Sequence, residues 1–92
     1  MLQNSILEGI SEPTLRRLPA YCHVLRRILE QHEAETVSCT QIGLELQLDP
    51  TQVRKDLAVT GVVGRPKVGY QVQELYERVS DFLGWNNAQD AV

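Results

Sequence analysis

Four basic side chains lie close together in the second half of the chain. Arg54 and Lys55 fall within one short segment that has the pattern of a helix, and Arg65 and Lys67 fall in a glycine-flanked loop a few residues later. Guanidinium and ammonium groups donate hydrogen bonds to phosphate oxygens and to guanine O6 and N7 in the major groove of DNA. These residue types therefore point to nucleic-acid binding.

The distribution of charge favours that chemistry more than the total charge does. The chain carries a net charge of −3, which by itself is unlike a DNA-binding protein. Between Thr51 and Val72, however, four cations accompany a single acid, Asp56, so this stretch carries +3 and the remainder −6. Phosphate attraction depends on the field within about 8 Å at physiological salt. We expect the acidic residues of the remainder to lie on the side of the domain away from the basic stretch. We expect Asp56 to orient Arg54 or a partner at the edge of the core.

Composition excludes several other classes. With 92 residues, 42% of them hydrophobic, the chain is one small domain, too small for an enzyme with separate cofactor and substrate lobes. Cys22 and Cys39 lack a CxxC partner, and His23 and His32 lack a paired acid or nucleophile, so we predict no metal site and no enzyme. No apolar run reaches the roughly 20 residues of a membrane span. Met1 to Gly9 is not a signal peptide, which predicts a cytoplasmic protein.

The first basic pair belongs to a helix with strong start signals. Asp49 is the expected N-cap, Pro50 occupies the first helical position, and Gln52 is the expected return partner of the cap. At about 100° per residue, Val53 and Leu57 define the buried side. The residues expected to project outward are Thr51, Lys55 and Ala58, flanked by Gln52 and Arg54.

A second helix is expected immediately before it. Ser38 with Gln41 three positions later makes a capping box. The apolar residues that follow alternate as a strand would, but they also fit one face of a helix, and we favour the helix because β-branched residues are sparse and the cap is strong. Gly43 would permit close approach of a second helix. Two helices joined by a short turn, the second with a polar outer face, form a helix-turn-helix.

The N-terminal part of the chain predicts the helix that supports this motif. Ser11 resembles an N-cap of a short helix through Leu18, and Pro19 then restarts or kinks the helix. Apolar residues at three- and four-residue steps continue to Gln31 or His32. The β-prone pair Thr36 and Val37 follows that helix.

The second basic pair belongs to a predicted hairpin. Val62 and Val63 have the pattern of one strand and residues 70–72 that of its return, with the cationic loop 64–69 between them. A final amphipathic helix runs to Leu83 and ends at Gly84. Trp85 is expected to fold back onto the core.

The fold class expected from these elements is mainly α with a small β-hairpin, a winged helix-turn-helix. Residues 1–10 would be an N-terminal arm and residues 11–85 the winged-helix domain, with the helix-turn-helix at about 18–58 and the wing at about 61–72. Residues 86–92 would be a linker.

Three segments together give the chain a specific resemblance. Arg17-Leu18-Pro19, the run from Val53 to Leu57, and the loop from Gly64 to Tyr70 resemble the N-terminal domain of the Rex family, bacterial redox-sensing transcriptional repressors. The resemblance covers about residues 10–85. It implies a homodimeric repressor that binds an inverted-repeat operator with AT-rich parts and releases it when NADH occupies a Rossmann-type domain. The chain has no GxGxxG motif, so the NADH site is expected in a domain that would follow residue 92.

The resemblance also implies the contact residues. The recognition helix would meet the major groove and the wing would meet the backbone and minor groove, while the first helix offers phosphate contacts. These residues are Thr51, Gln52, Arg54 and Lys55 in the helix, Arg65, Lys67, Gly69 and Tyr70 in the wing, and Arg16 and Arg17 in the first helix. The chain departs from the family in one run, with Ala58-Val59-Thr60-Gly61 where an aromatic residue usually precedes glycine.

A second hypothesis is a winged helix that binds proteins and not DNA. The net acidity and the missing sensor domain support it. The two hypotheses differ in the expected surface: a continuous positive strip joining the recognition helix to the wing tip favours DNA, whereas acidic residues that interrupt the strip favour a protein partner.

Overall fold

A computed structural model describes residues 10–84, which form four helices and two short strands. In chain order these are α1 (Glu12–Glu30), β1 (Thr36–Val37), α2 (Cys39–Leu46), α3 (Pro50–Ala58), β2 (Tyr70–Gln71) and α4 (Val72–Leu83). Helices α2 and α3 form the helix-turn-helix, and the loop between α3 and β2 is the wing. The expected winged helix-turn-helix architecture is confirmed.

Helix α1 is one continuous helix of 19 residues, although Pro19 lies inside it. Ser11 caps it as expected, because its hydroxyl accepts a hydrogen bond from the Thr14 backbone N–H at 3.2 Å. Of the two alternatives expected at Pro19, a restart of the helix is wrong, because the helix continues through the proline. Leu18 and Tyr21, on either side of the proline, are both fully buried in the same core. Packing of this face therefore outweighs the hydrogen bond that proline removes.

The predicted cap and turn of the helix-turn-helix are present. Ser38 accepts from the Gln41 backbone N–H at 3.1 Å, and the Gln41 side chain accepts from the Ser38 N–H at 2.8 Å. Gln47 directly follows helix α2 and terminates it with a left-handed backbone, φ 60°. A Cβ atom on Gly43 would lie 2.5 Å from the Leu48 carbonyl oxygen. Gly43 thus allows the turn into α3 to fold tightly against α2.

The two strands pair antiparallel across the molecule, with the Thr36–Gln71 and Val37–Tyr70 registers. The predicted pairing of Val62 and Val63 with residues 70–72 is wrong. Val62 is buried in the core, Val63 is exposed, and residue 72 begins α4. The partner of β2 is instead the β-prone pair that follows α1, so the wing is closed locally by a single bridge between residues 65 and 69.

The core lies mainly between α1 and α4, with α3 and the small sheet closing its side. Tyr76 and Phe82 are half-buried against this core. The core residues with 1% or less exposure are Leu18, Tyr21, Cys22, Leu25, Ile42, Val53, Leu57, Val72, Leu75 and Val79. None of the described helices combines the length and apolar character that crossing a membrane requires. The expected N-terminal arm, the Trp85 packing and the linker lie outside the described residues.

Candidate nucleic-acid interface

Helix α3 presents the face that its sequence predicts. The Asp49 carboxylate caps the helix by accepting a hydrogen bond from the Thr51 backbone N–H at 2.7 Å. Val53 and Leu57 are fully buried beneath the helix. The exposed residues are Pro50, Thr51, Arg54, Lys55 and Ala58. The outer surface of α3 is therefore polar and carries two cations.

The Gln52 side chain does not return to the helix cap as predicted. Its amide nitrogen instead donates a hydrogen bond to Oδ1 of Asp56, one turn later on α3, at 2.9 Å. The reason is that Asp56 is fully buried, and a buried carboxylate requires donors. Gln52 thus lies half-buried at the edge of the outer face.

Asp56 is the centre of a hydrogen-bonded group that joins α1 to α3. Its Oδ2 accepts from Arg17 Nε at 2.6 Å and from the Tyr21 hydroxyl, while its Oδ1 accepts from Arg17 Nη2 at 3.0 Å and from the Thr14 hydroxyl at 2.8 Å. Together with Gln52 these side chains form what we call the Asp56 cluster. Burial acts to raise the pKa of Asp56, but the donors outweigh it and hold the pKa below its usual value. The carboxylate is therefore ionised at neutral pH.

One of the two expected phosphate contacts of α1, Arg17, is part of the Asp56 cluster. Arg17 is tied to Asp56, and 25% of its side chain remains exposed. Its neighbour Arg16 is exposed and pairs with Glu12 on the same helix at 3.1 Å. Of the two partners expected for Asp56, Arg54 or a residue at the core edge, the structure has the second, which is Arg17. Arg17 and Asp56 are 39 positions apart, so no local signal in the sequence indicates this pairing.

The wing is a tight turn with its basic residues outside. Arg65 and Gly69 exchange backbone hydrogen bonds of 2.9 and 2.8 Å. Lys67 lies at the tip with a left-handed φ of 68°. The side chains of residues 65–68 are all exposed, and Val63 and Val68, which flank the two cations, are 85% and 53% exposed.

Gly69 and Tyr70, which are expected in the wing, lie at its base, where the wing meets the small sheet. A Cβ atom on Gly69 would lie 2.5 Å from the Val37 carbonyl oxygen, so this glycine allows the wing to lie close to β1. Tyr70 is only 8% exposed, and its hydroxyl accepts from the Cys39 thiol at 3.9 Å. Burial raises the pKa of Tyr70 to about 12. Its ring lies beneath Gly64, so Tyr70 supports the wing from inside and does not present its side chain to a partner.

An open groove of about 700 Å³ joins the two basic regions. Arg54 and Ala58 of α3 line one side, and Arg65 and Lys67 of the wing line the other. We call this surface the basic groove. Among its described lining residues three are cations and none is acidic. The structure thus brings Arg54 together with the wing cations, while Lys55 stands on the exposed face of α3 outside the lining.

The cysteines show no reactive arrangement. Cys22 and Cys39 are free thiols, and burial raises the pKa of Cys22 to about 11, which keeps it protonated. Between residues 10 and 84, no group of three or more His, Cys, Asp or Glu side chains could hold a metal ion.

Comparison with known proteins matches most of the chain to one family. Residues 9–58 match the family model described as "Putative DNA-binding protein N-terminus". The redox-sensing transcriptional repressor Rex of Treponema denticola is 48% identical over 79 residues, which are 86% of this chain and 37% of that protein. The Rex repressor of Bacteroides fragilis is 43% identical over 90 residues, 98% of this chain and 40% of that protein. The chain therefore spans about two fifths of the length of these relatives.

Solved structures give the same result for the fold. RSP in complex with β-NAD⁺ and operator DNA superposes with a TM-score of 0.75 at 31% identity, over 82% of this chain and 34% of that one. A second crystal structure, of RSP, a Rex-family repressor, superposes with a TM-score of 0.72 at 30% identity, over 84% of this chain and 35% of that one.

Proposed function

The chain belongs to the Rex family, matching its N-terminal domain, and from this premise we propose that it binds double-stranded operator DNA in sequence-specific fashion. Helix α3 would enter the major groove, where side chains can reach base edges. The wing would lie against the adjacent backbone and minor groove. The proposed role is binding and not catalysis.

The observation that carries the proposal is the basic groove. It places Arg54 on the same surface as Arg65 and Lys67, with no acidic side chain among the described lining residues. Phosphates on the two sides of a groove in DNA would meet cations from two elements of the protein at once. The proposed contacts are Thr51, Gln52, Arg54 and Lys55 from α3 and Arg65 and Lys67 from the wing, with Arg16 and Arg17 as phosphate contacts. Gly69 and Tyr70 would support the wing.

The remaining features of the proposal concern the whole protein. We propose a cytoplasmic homodimeric repressor whose two α3 helices, about 34 Å apart, bind an inverted repeat with AT-rich parts. Its affinity would respond to NADH and NAD⁺ through a Rossmann domain. The names of the Rex relatives and the bound β-NAD⁺ and operator of the RSP complex support this proposal. The alternative, a winged helix that binds only proteins, is not favoured by the Rex relatives or by the absence of acidic side chains among the described residues that line the basic groove.

The test is titration of the chain with a labelled Rex-type operator duplex and with a scrambled duplex of the same composition. We expect tighter binding to the operator, with affinity for both falling steeply between about 50 and 200 mM salt. Arg54→Ala should weaken binding. The matched control is Arg26→Ala, because Arg26 is an exposed arginine of α1 that pairs with Glu30 and does not line the basic groove. Absence of a complex at low salt and high protein concentration would refute the proposal.

A further inference from the structure

The Gln52 amide is held in one orientation by its neighbour. Its nitrogen lies 2.9 Å from Oδ1 of Asp56. An ionised carboxylate only accepts hydrogen bonds, so the side of the amide that faces Asp56 must be the NH₂ group. The amide oxygen is consequently turned away from Asp56. Within residues 10–84 no side-chain hydrogen bond engages that oxygen, and Gln52 is half-buried at the edge of the outer face of α3.

The carboxylate that fixes this orientation is itself fixed. Arg17 donates to both of its oxygens, and Thr14 and Tyr21 add one hydrogen bond each. All three of these side chains belong to α1, whereas Gln52 belongs to α3. Turning the amide over would place its oxygen against the Asp56 oxygen and lose the hydrogen bond. A side chain held in this way reaches a partner with little loss of conformational freedom.

We propose that Asp56 positions Gln52 so that its amide oxygen accepts a hydrogen bond from an exocyclic amino group in the major groove, which makes Gln52 a determinant of base specificity. This inference rests on the proposed DNA-binding function. In the major groove such donors are N6 of adenine and N4 of cytosine, whereas guanine O6 and thymine O4 are acceptors. The second N–H of Gln52 remains available for an acceptor beside the amino group. Adenine offers N7 there, so adenine fits both groups.

The chain contains a matched control for this arrangement. Gln73 donates its amide nitrogen to Glu77 at 2.7 Å, again four residues later on one helix. That pair lies exposed on α4 and does not line the basic groove. Gln73→Ala therefore removes the same hydrogen bond without touching the proposed interface.

The experiment begins with a pool of DNA duplexes that share a randomised core. The 92-residue chain retains a fraction of the pool, and sequencing identifies the preferred duplex. Its affinity is then measured after each adenine is replaced by purine, which lacks the N6 amino group, or each cytosine by 2-pyrimidinone, which lacks the N4 amino group. We expect one replacement to weaken binding by about 5- to 20-fold.

The effect should depend on Gln52. Gln52→Ala is expected to bind the original duplex and the duplex without the amino group equally well. Gln73→Ala should lose as much affinity as the original chain does when the amino group is removed. A loss at a purine replacement assigns the amino group to adenine, and a loss at a 2-pyrimidinone replacement assigns it to cytosine; either supports the inference. If Gln52→Ala keeps the full loss, or if no replacement matters, the inference fails although DNA binding stands. If the chain retains no duplex at low salt, the proposed function itself fails and takes the inference with it.

The positioning role of Asp56 has its own readout. In Asp56→Asn the new side chain can present either its oxygen or its NH₂ group to Gln52. The Gln52 amide can then form a hydrogen bond in either of its two orientations. In this variant, we expect removal of the amino group from the base to reduce DNA affinity by about twofold or less. Affinity for a scrambled duplex should change little, and a cooperative thermal transition confirms the fold. A folded Asp56→Asn variant with unchanged base preference would overturn the positioning role, and if this variant does not fold, Gln52→Ala decides the inference.

Discussion

Two regions of this molecule use charged side chains in opposite ways. In the Asp56 cluster, Asp56 is fully buried and receives five hydrogen bonds from four side chains of α1 and α3. At the wing, Arg65 and Lys67 are exposed and form no ion pair with any residue from 10 to 84. A buried charge must be satisfied inside the protein, so it fixes structure. An exposed charge remains available to a partner.

Arginine shows the contrast within one residue type. Arg17 gives two N–H groups to Asp56 and holds α1 against α3, while Arg65 is exposed at the wing. Sequence alone cannot separate these roles, because both residues are basic and both belong to segments that resemble Rex. We therefore expect substitution of Arg17 to act mainly on stability and substitution of Arg65 to act mainly on DNA affinity.

The largest expected effect is the loss of stability in Arg17→Met. Removing the guanidinium leaves Asp56 buried without its cationic partner, which costs about 3 kcal/mol in the free energy of unfolding. Urea denaturation followed by circular dichroism measures this free energy. Arg65→Met is the matched control and should change it by about 0.5 kcal/mol or less. Equal losses in the two variants would remove the distinction between the regions.

The converse effect is expected at the wing. The double variant Arg65→Ala, Lys67→Ala should lower affinity for any duplex by about tenfold near 100 mM salt and reduce the slope of log affinity against log salt by about 2. Its free energy of unfolding should stay within about 0.5 kcal/mol of the original. Arg26→Ala, which removes an exposed charge from α1, is the control. A salt slope unchanged in the double variant would show that the wing does not contact phosphates.

A smaller effect, spread over a range of pH, comes from titration of Asp56. Its pKa is lower in the folded chain than its ordinary value of about 3.9, so its contribution to stability is present above that value. As the pH falls below about 4 and through the folded pKa, this contribution is lost. Urea denaturation at several pH values should therefore show a steeper acid loss in the original chain than in Asp56→Asn. Parallel curves would mean that the donors do not stabilise the charged form.

Local signals predicted most of the fold. The caps at Ser38 and Asp49 and the buried pair Val53 and Leu57 depend on residues a few positions apart, and all are present. The pairing of β1 with β2 was not predicted, since it joins segments more than thirty residues apart and each strand has only two residues. Local alternation instead suggested Val62 and Val63 as the partner.

The same limit applies to the candidate site. The outward cations of α3 and of the wing follow from helical periodicity and from turn composition, and the structure places them on the surface. The Asp56 cluster depends on long-range contacts: Thr14 is 42 positions from Asp56 in the sequence, and Arg17 is 39 positions from it. No periodic pattern encodes such a contact. The sequence therefore predicts no partner for Arg17, and for Gln52 it predicts the helix cap where the structure has Asp56.

The smallest expected effect tests where the wing ends and the core begins. Tyr70→Phe removes only a hydroxyl whose contact is the Cys39 thiol at 3.9 Å, and sulfur is a weak donor. We expect the free energy of unfolding to change by about 0.5 kcal/mol or less and DNA affinity to stay within about twofold. The ring itself remains beneath Gly64, so the wing keeps its shape. If fluorescence anisotropy instead shows a large loss of affinity in a fully stable Tyr70→Phe variant, the hydroxyl must reach DNA, and Tyr70 would belong with Arg65 and Lys67.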